Sequence, residues 1–246
     1  MSTVPEAIRV ATSNDVESTV DTIALAFHTD PVWGVALATA DGSGFERDFW
    51  RFYVEGAVGY SNVFLIDQGV LDLVPAVAVW IPPGGEEMSE SQDAALRRRV
   101  ADRLPQRSIA ALEELWERFE SNHPHDPPHA YLSLLATHPS HRGRGIAQGL
   151  LAETLRQWDA LGVPAYLEST NPANDHRYAR LGFRPIGGFA AVLDDAVVTT
   201  MWRETPERQR GVGAREIKAG VPGLEPRTTE PESVVLPITP YPIENP

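Results

Sequence analysis

One stretch constrains this chain more than any other. The apolar run Ala130-Tyr-Leu-Ser-Leu-Leu-Ala-Thr137 gives way to His138-Pro-Ser-His-Arg142-Gly143-Arg144-Gly145-Ile146-Ala147, and then to the helical pattern Gln148-Gly-Leu-Leu-Ala-Glu-Thr-Leu155. A strand, a glycine-bearing turn and a helix start follow one another, so a strand must feed a helix through a tight connection. Glycines in such a turn let backbone N–H groups converge on an anion, and the helix N-terminus adds partial positive charge at the same point. Arg142 and Arg144 can add charge-assisted hydrogen bonds to phosphate oxygens. The glycines taken alone are equally explained by a tight connection with no ligand. Neither Gly-x-Gly-x-x-Gly nor Gly-Lys-Ser/Thr occurs here, which disfavours nicotinamide and nucleoside-triphosphate chemistry.

The elements around this stretch read as a mixed α/β chain. Residues 6–12 alternate as a short strand does, and Asn14 with Glu17 has the spacing of a helix capping box. Val16, Val20, Ile23, Ala24 and Phe27 share one helical face until Asp30-Pro31 stops the run, and Phe45, Phe49, Phe52 and Gly56 mark a second helix. Val63 to Ile66 and Pro75 to Ile81 read as an antiparallel pair of strands. From Ser89 to His123 the pattern is helical and broken near Pro105, and these helices are expected to face the surface. A helix over Gln148 to Leu161, a strand over Pro164 to Ser169, a helix-turn-strand unit from Ala173, and a last strand over Ala196 to Arg203 complete one βαβ crossover flanked by hairpins. Residues 1–204 are read as one domain. Residues 205–246 carry repeated prolines and read as a tail able to hold two copies together as a homodimer.

Composition narrows the function classes. The chain lacks cysteine, so thiolate nucleophiles and thiolate metal sites are excluded. A formal charge of −13 disfavours nucleic acid or an anionic membrane as partner and suits a cationic small molecule. No run approaches a membrane span and no secretion signal is evident, which makes a cytoplasmic location the expectation. His123, His125 and His129 lie in a Pro-rich loop, not at a fixed helical or hairpin ligand spacing, and no acidic or Cys partner completes a site, so no metal site is expected; His138 and His141 read as shaping the glycine turn.

Arg142-x-x-Gly145-x-Ala147 resembles the Arg/Gln-x-x-Gly-x-Gly/Ala signature of the GCN5-related N-acetyltransferases (GNAT), and Asn171 through Tyr178-x-x-x-Gly182-Phe183 resembles their downstream motif. Ile8-Arg-Val-Ala-Thr12, Ala76-Val-Ala-Val-Trp80, Gly162-Val-Pro-Ala-Tyr-Leu-Glu168 and Tyr178-Ala-Arg-Leu-Gly-Phe183 look like the puromycin N-acetyltransferase-like enzymes of actinobacteria, over roughly residues 6 to 203. The resemblance implies a twisted mixed sheet splayed between its fourth and fifth strands, with helices on both faces and acetyl-CoA in the opening. It places the strand bearing Leu135, Ala136 and Thr137 against the pantetheine arm. It also sets the amides of Arg142, Gly143, Arg144, Gly145, Ile146 and Ala147 on the pyrophosphate. Asn171 and Asn174 are expected to bond the pantetheine or cap the following helix.

The family's motif puts Tyr178 near the cofactor sulfur, where a phenol can return a proton to the thiolate. Glu168, at the end of a short strand, is the leading base, with anchoring of the acceptor's ammonium as its other role. Puromycin enzymes carry an aromatic residue where this chain has Asp30, so the acceptor is open; Asp30, Trp33, Phe49 and Tyr53 are candidates to contact it. The expected activity is acetyl transfer to an amine of a small molecule, such as an antibiotic or an aminonucleoside in resistance or biosynthesis, by direct attack in a ternary complex. Protein or O-acetylation, and non-catalytic acyl-CoA binding, are the alternatives.

Overall fold

The computed structural model describes residues 7–38, 45–69, 73–193 and 195–207. The proline-rich segment assigned to the tail lies, beyond residue 207, outside them.

Seven strands form one sheet. β1 (Ala7–Val10), β2 (Val63–Asp67), β3 (Ala76–Ile81) and β4 (Ala130–Thr137) follow in order, then β5 (Ala165–Ser169), β7 (Val197–Arg203) and, at the edge, β6 (Arg184–Ala190). Every neighbouring pair is antiparallel except β4 with β5. That pair is joined by α6 (Ile146–Ala160), the crossover that the glycine turn announced.

Both faces of the sheet are covered. Alternate residues of β3 divide between them. Ala76, Ala78 and Trp80 pack with Leu150, Leu155 and Trp158 of α6, while Val77 and Val79 face α1 (Val16–Phe27) and α3 (Phe45–Val58) on the other side. The capping box sits two residues earlier than the Asn14/Glu17 spacing suggested. Thr12 and Asp15 form it, because Asp15 is held in place by Arg9, whose guanidinium meets both Asp15 and Asp67.

α4 (Glu90–Arg103) starts at a Ser89/Gln92 capping box, and Pro105 separates it from α5 (Gln106–Asn122). These helices are not simply surface-facing. Leu96, Val100, Leu112 and Leu115 are buried with α3, and the outer stripe of α5 carries Trp116 and Phe119 toward the open end of the sheet. At the other end Arg203 of β7 forms a bidentate pair with Asp159 of α6 at 2.6 and 2.7 Å and donates through Nε to the Leu181 carbonyl. That clamp fixes β7 and the turn before β6 to the crossover helix.

Candidate active site at the splayed strands

β4 and β5 are paired only at Ala130 with Ala165 and Tyr131 with Tyr166. Beyond that point β4 keeps pairing with β3 through Thr137 and β5 with β7 through Ser169, so the facing edges part. The backbone of Leu132 to Thr137 thus offers an open edge of N–H and C=O groups, which an extended ligand can pair with as an added strand does. The register of β3 against β4 passes from Trp80 and Leu132 to Val79 and Leu134, leaving Ser133 as a β-bulge. The bulge turns Ser133 to the opening, where its hydroxyl meets Glu87.

The turn after β4 is shaped as its glycines require. Gly143 and Gly145 have φ of 79° and 74°, the left-handed region that side chains disfavour, and Gly145 caps α6. A Cβ at either would meet nothing within 4 Å, so it is the backbone turn rather than crowding that selects glycine. The same openness leaves the amides at the α6 N-terminus approachable. His138 and His141 brace the turn through Ser140. Arg142 reaches back to the Ala26 carbonyl at 3.0 Å and Arg144 to the Ser140 carbonyl at 3.3 Å.

The opening holds a cavity of about 600 Å3 that continues, past Tyr53, Glu87, Trp116, Phe119, Tyr131 and Glu168, into a wider groove of about 1650 Å3. Two carboxylates therefore stand where the two spaces meet. Burial, with the Glu168 charge nearby, pushes the Glu87 carboxyl up to about 7 against the pull of its Ser133 hydrogen bond. The Glu168 side chain is 2% exposed; Oε1 lies 3.3 Å from His123 Nδ1, and the carboxylate is buried against the Tyr131 and Tyr166 hydroxyls. Burial and the Glu168 charge also raise the Tyr131 and Tyr166 phenols. The groove beyond is strongly acidic, with Glu86, Glu90, Glu113, Glu117 and Glu120 on its walls; Arg97, over the Trp116 ring at 4.9 Å, is paired with Asp93.

Of the residues singled out in the sequence, Glu168, Tyr178, Leu135, Thr137, Arg142, Gly143, Gly145, Ile146, Ala147, Asn171 and Asn174 line the cavity, as do Asp30, Trp33 and Tyr53. Ala136 and Phe49 do not: Ala136 is buried in the core that packs against α1 and α3, and Phe49 is wholly buried behind Trp33 at a ring distance of 5.8 Å. Arg144 is exposed outside the cavity. Asp30 is already engaged, its Oδ1 accepting from the amides of Val32 and Trp33 and its Oδ2 from the Thr170 hydroxyl. Asn171 caps the turn that precedes α7 (Asp175–Ala179) by accepting from the Ala173 amide. Burial, then Asp30 and Asp175, push the Tyr178 phenol up to about 12.

Glu87, Ser133, Trp116 and His123 were not foreseen. Glu87 follows Pro82-Pro83-Gly84-Gly85 directly after a fully buried strand, and a carboxylate in a loop leaving a core strand is the signal that was available. His123, whose sequence neighbourhood speaks only against a metal site, meets Glu168 of β5 from 45 residues away.

Residues 108–183 match the model of the acetyltransferase (GNAT) family. The structure is similar to a Drosophila melanogaster polyamine N-acetyltransferase that catalyses formation of N-acetylagmatine, with 14% identity and a TM-score of 0.59 over 81% of this chain and 100% of that one. It is also similar to arylalkylamine N-acetyltransferase 2 of Aedes aegypti, with 14% identity and a TM-score of 0.56 over 81% and 99%. A third similar structure is described as histone acetyltransferase HPA2 and related acetyltransferase, from Corynebacterium glutamicum, with 23% identity and a TM-score of 0.56 over 81% and 96%. The fold is that of the GNAT acetyltransferases, and the matched segment spans the open strand, the glycine turn and the Tyr178 motif.

Proposed function

We propose that the protein is an acetyl-CoA-dependent N-acetyltransferase acting on a small cationic amine. The observation that carries this reading is the meeting of three features at one opening: the unpaired edge of β4, the glycine turn at the α6 N-terminus, and the Glu87–Glu168 carboxylate pair. An open strand edge suits the two amides of a pantetheine arm, and left-handed glycines with clear space around them suit a pyrophosphate. Leu135 and Thr137 would hold the arm, and the amides from Gly143 to Ala147 the phosphates. When bound, acetyl-CoA supplies an activated acyl group whose leaving group is a thiolate.

The chain's own groups then account for the proton movements. The acceptor enters through the acidic groove, which favours a cation, and its ammonium is drawn to Glu168 and Glu87. These carboxylates take its proton, so that the neutral amine attacks at close range. Tyr178, held protonated by burial and by Asp30, donates to the departing sulfur. Trp33, Tyr53, Trp116 and Phe119 give the acceptor an aromatic wall.

The finer reading is a puromycin N-acetyltransferase-like enzyme of resistance or biosynthesis, located in the cytoplasm, with residues 1–204 as the catalytic unit and the segment 205–246 as a tail that pairs two copies. The test is a mass-shift screen with acetyl-CoA against aminonucleosides, aminoglycosides, agmatine, arylalkylamines and peptides. A single acetyl addition to a small amine supports the proposal. Addition only to a hydroxyl or a peptide, or tight acetyl-CoA binding with no transfer, would replace it with O- or protein acetylation or with a binding protein. A tail-deleted chain that remains dimeric on a sizing column would remove the tail from the assembly.

A further inference from the structure

The groups behind Glu168 form a chain whose hydrogen-bond arithmetic is closed. His129 Nδ1 lies 2.9 Å from the Pro127 carbonyl, His129 Nε2 lies 3.2 Å from His123 Nε2, and His123 Nδ1 lies 3.3 Å from Glu168 Oε1. A carbonyl can only accept, so His129 Nδ1 carries a proton. Three contacts need three protons, and two neutral imidazoles bring two. The third is an extra proton resting on Glu168, His123 or His129. Burial lowers the His129 imidazole and disfavours charge there, which leaves its Nε2 a bare acceptor and makes His123 Nε2 the donor. The extra proton then lies between His123 Nδ1 and Glu168.

We infer that Glu168, His123 and His129 form a one-proton relay that carries the acceptor's proton from the buried carboxylate to the open groove. This rests on the acetyltransferase reading above. An ammonium acceptor loses one proton before its nitrogen forms the N–C bond; as the C–S bond breaks, the thiolate takes the Tyr178 proton, and the second nitrogen proton restores the phenol through the carboxylates. One proton per turnover is left over and must leave a site where Glu168 is 2% exposed. His123 touches Glu168 on one side and, 26% exposed, lines the groove on the other. His129 is a positioning residue: its lone pair fixes the His123 ring, which Tyr131 and Tyr166 hold edge-on at 4.8 Å. The titratable groups facing His123 are thus Glu168 and Tyr166 from β5, Tyr131 from β4, His129 from the loop before β4, and Glu87 from the loop after β3.

The first arm of the test needs no acceptor. Long-range nitrogen–proton spectra of the full chain with 15N-labelled histidine, at pH 7, are expected to show His129 as the Nδ1–H tautomer and His123 protonated at Nε2. A neutral His129 protonated at Nε2, or bare nitrogens at both facing positions, would overturn the relay. In H129F, His123 is expected to lose its fixed tautomer. The second arm uses agmatine and tryptamine as probe amines. H123Q should lower kcat roughly tenfold or more with KM for acetyl-CoA unchanged, within the range expected for a lost proton-transfer group. Added imidazole should restore part of that loss, which a structural defect would not allow. A kcat within twofold of wild type, or no rescue, would overturn the relay. Failure of the wild-type chain to acetylate any amine would instead sink the acetyltransferase reading, and the tautomer spectra would still decide the relay.

Discussion

Thr170 donates its hydroxyl to Asp30 Oδ2 at 2.7 Å, joining the end of β5 to the start of α2 (Trp33–Ala36) across 140 residues of sequence. The other Asp30 oxygen accepts from the amides of Val32 and Trp33, so one carboxylate sets both the Trp33 side of the opening and the loop that leads to Asn171 and Tyr178. Asp30→Ala is expected to lose a helix cap and a buried partner, on the order of 1–2 kcal/mol by thermal or denaturant unfolding. It should also lower the Tyr178 phenol, because the Asp30 charge is second only to burial in raising it. An Asp30→Ala chain as stable as wild type, with an unshifted phenol titration, would remove that latch.

Tyr178→Phe keeps the ring against Phe183, at 6.2 Å, and removes only the hydroxyl. Its kcat is expected to fall roughly ten- to a hundredfold with little change in KM for acetyl-CoA, the split for a group acting on the leaving sulfur. Undiminished turnover would take the acid role away from Tyr178.

Glu87 gives a prediction with a definite sign. Its folded-state carboxyl is raised from 4.5 to about 7, chiefly by burial. Between those values the folded chain keeps a proton that the unfolded chain has released, so stability is full below pH 4.5 and falls as pH rises through about 7. Glu87→Gln mimics the protonated form. It should gain on the order of 3 kcal/mol over wild type at pH 8 and nothing near pH 4.5. The same pair predicts that wild-type activity rises through about pH 7 as Glu87 ionises, and that this limb is lost in Glu87→Gln. Equal gains at both pH values would contradict a raised Glu87.

Gly56 lies on α3 directly under the loop that carries Glu87. A Cβ there would sit 2.0 Å from the Glu87 carbonyl oxygen, so Gly56→Ala must push the loop away from the helix. The expected cost is about 1–3 kcal/mol by denaturant unfolding, as for other overpacked contacts. The lost Glu87 position should lower activity well beyond what that cost explains. A fully active Gly56→Ala chain would show that the loop does not need this seat.

The side of the opening proposed for the cofactor was legible because it is local. A strand, two glycines and a helix start are consecutive in sequence, and Leu135, Gly145 and Tyr178 line one cavity. The side proposed for the acceptor is assembled across the chain. Glu87, Trp116 and His123 come from a loop and a helix whose own periodicity speaks only of packing, and only the β4–β5 splay brings them to Glu168. Phe49 shows the converse. Its helical spacing with Phe45 and Tyr53 is more often a core stripe than a pocket wall, and in the fold it is wholly buried. Asp30 fitted a cation contact or an Asp-Pro turn equally well; its Oδ1 makes the local turn with the Val32 and Trp33 amides, while the Thr170 bond to Oδ2 is one that no local pattern reveals.

The seat proposed for acetyl-CoA is tested most directly by amide hydrogen exchange on the full chain, with and without acetyl-CoA. Protection at Leu135, Thr137 and Gly143 to Ala147, with little change along β1 and β2, is the expected result. Binding that protects another surface and leaves those amides unchanged would contradict it.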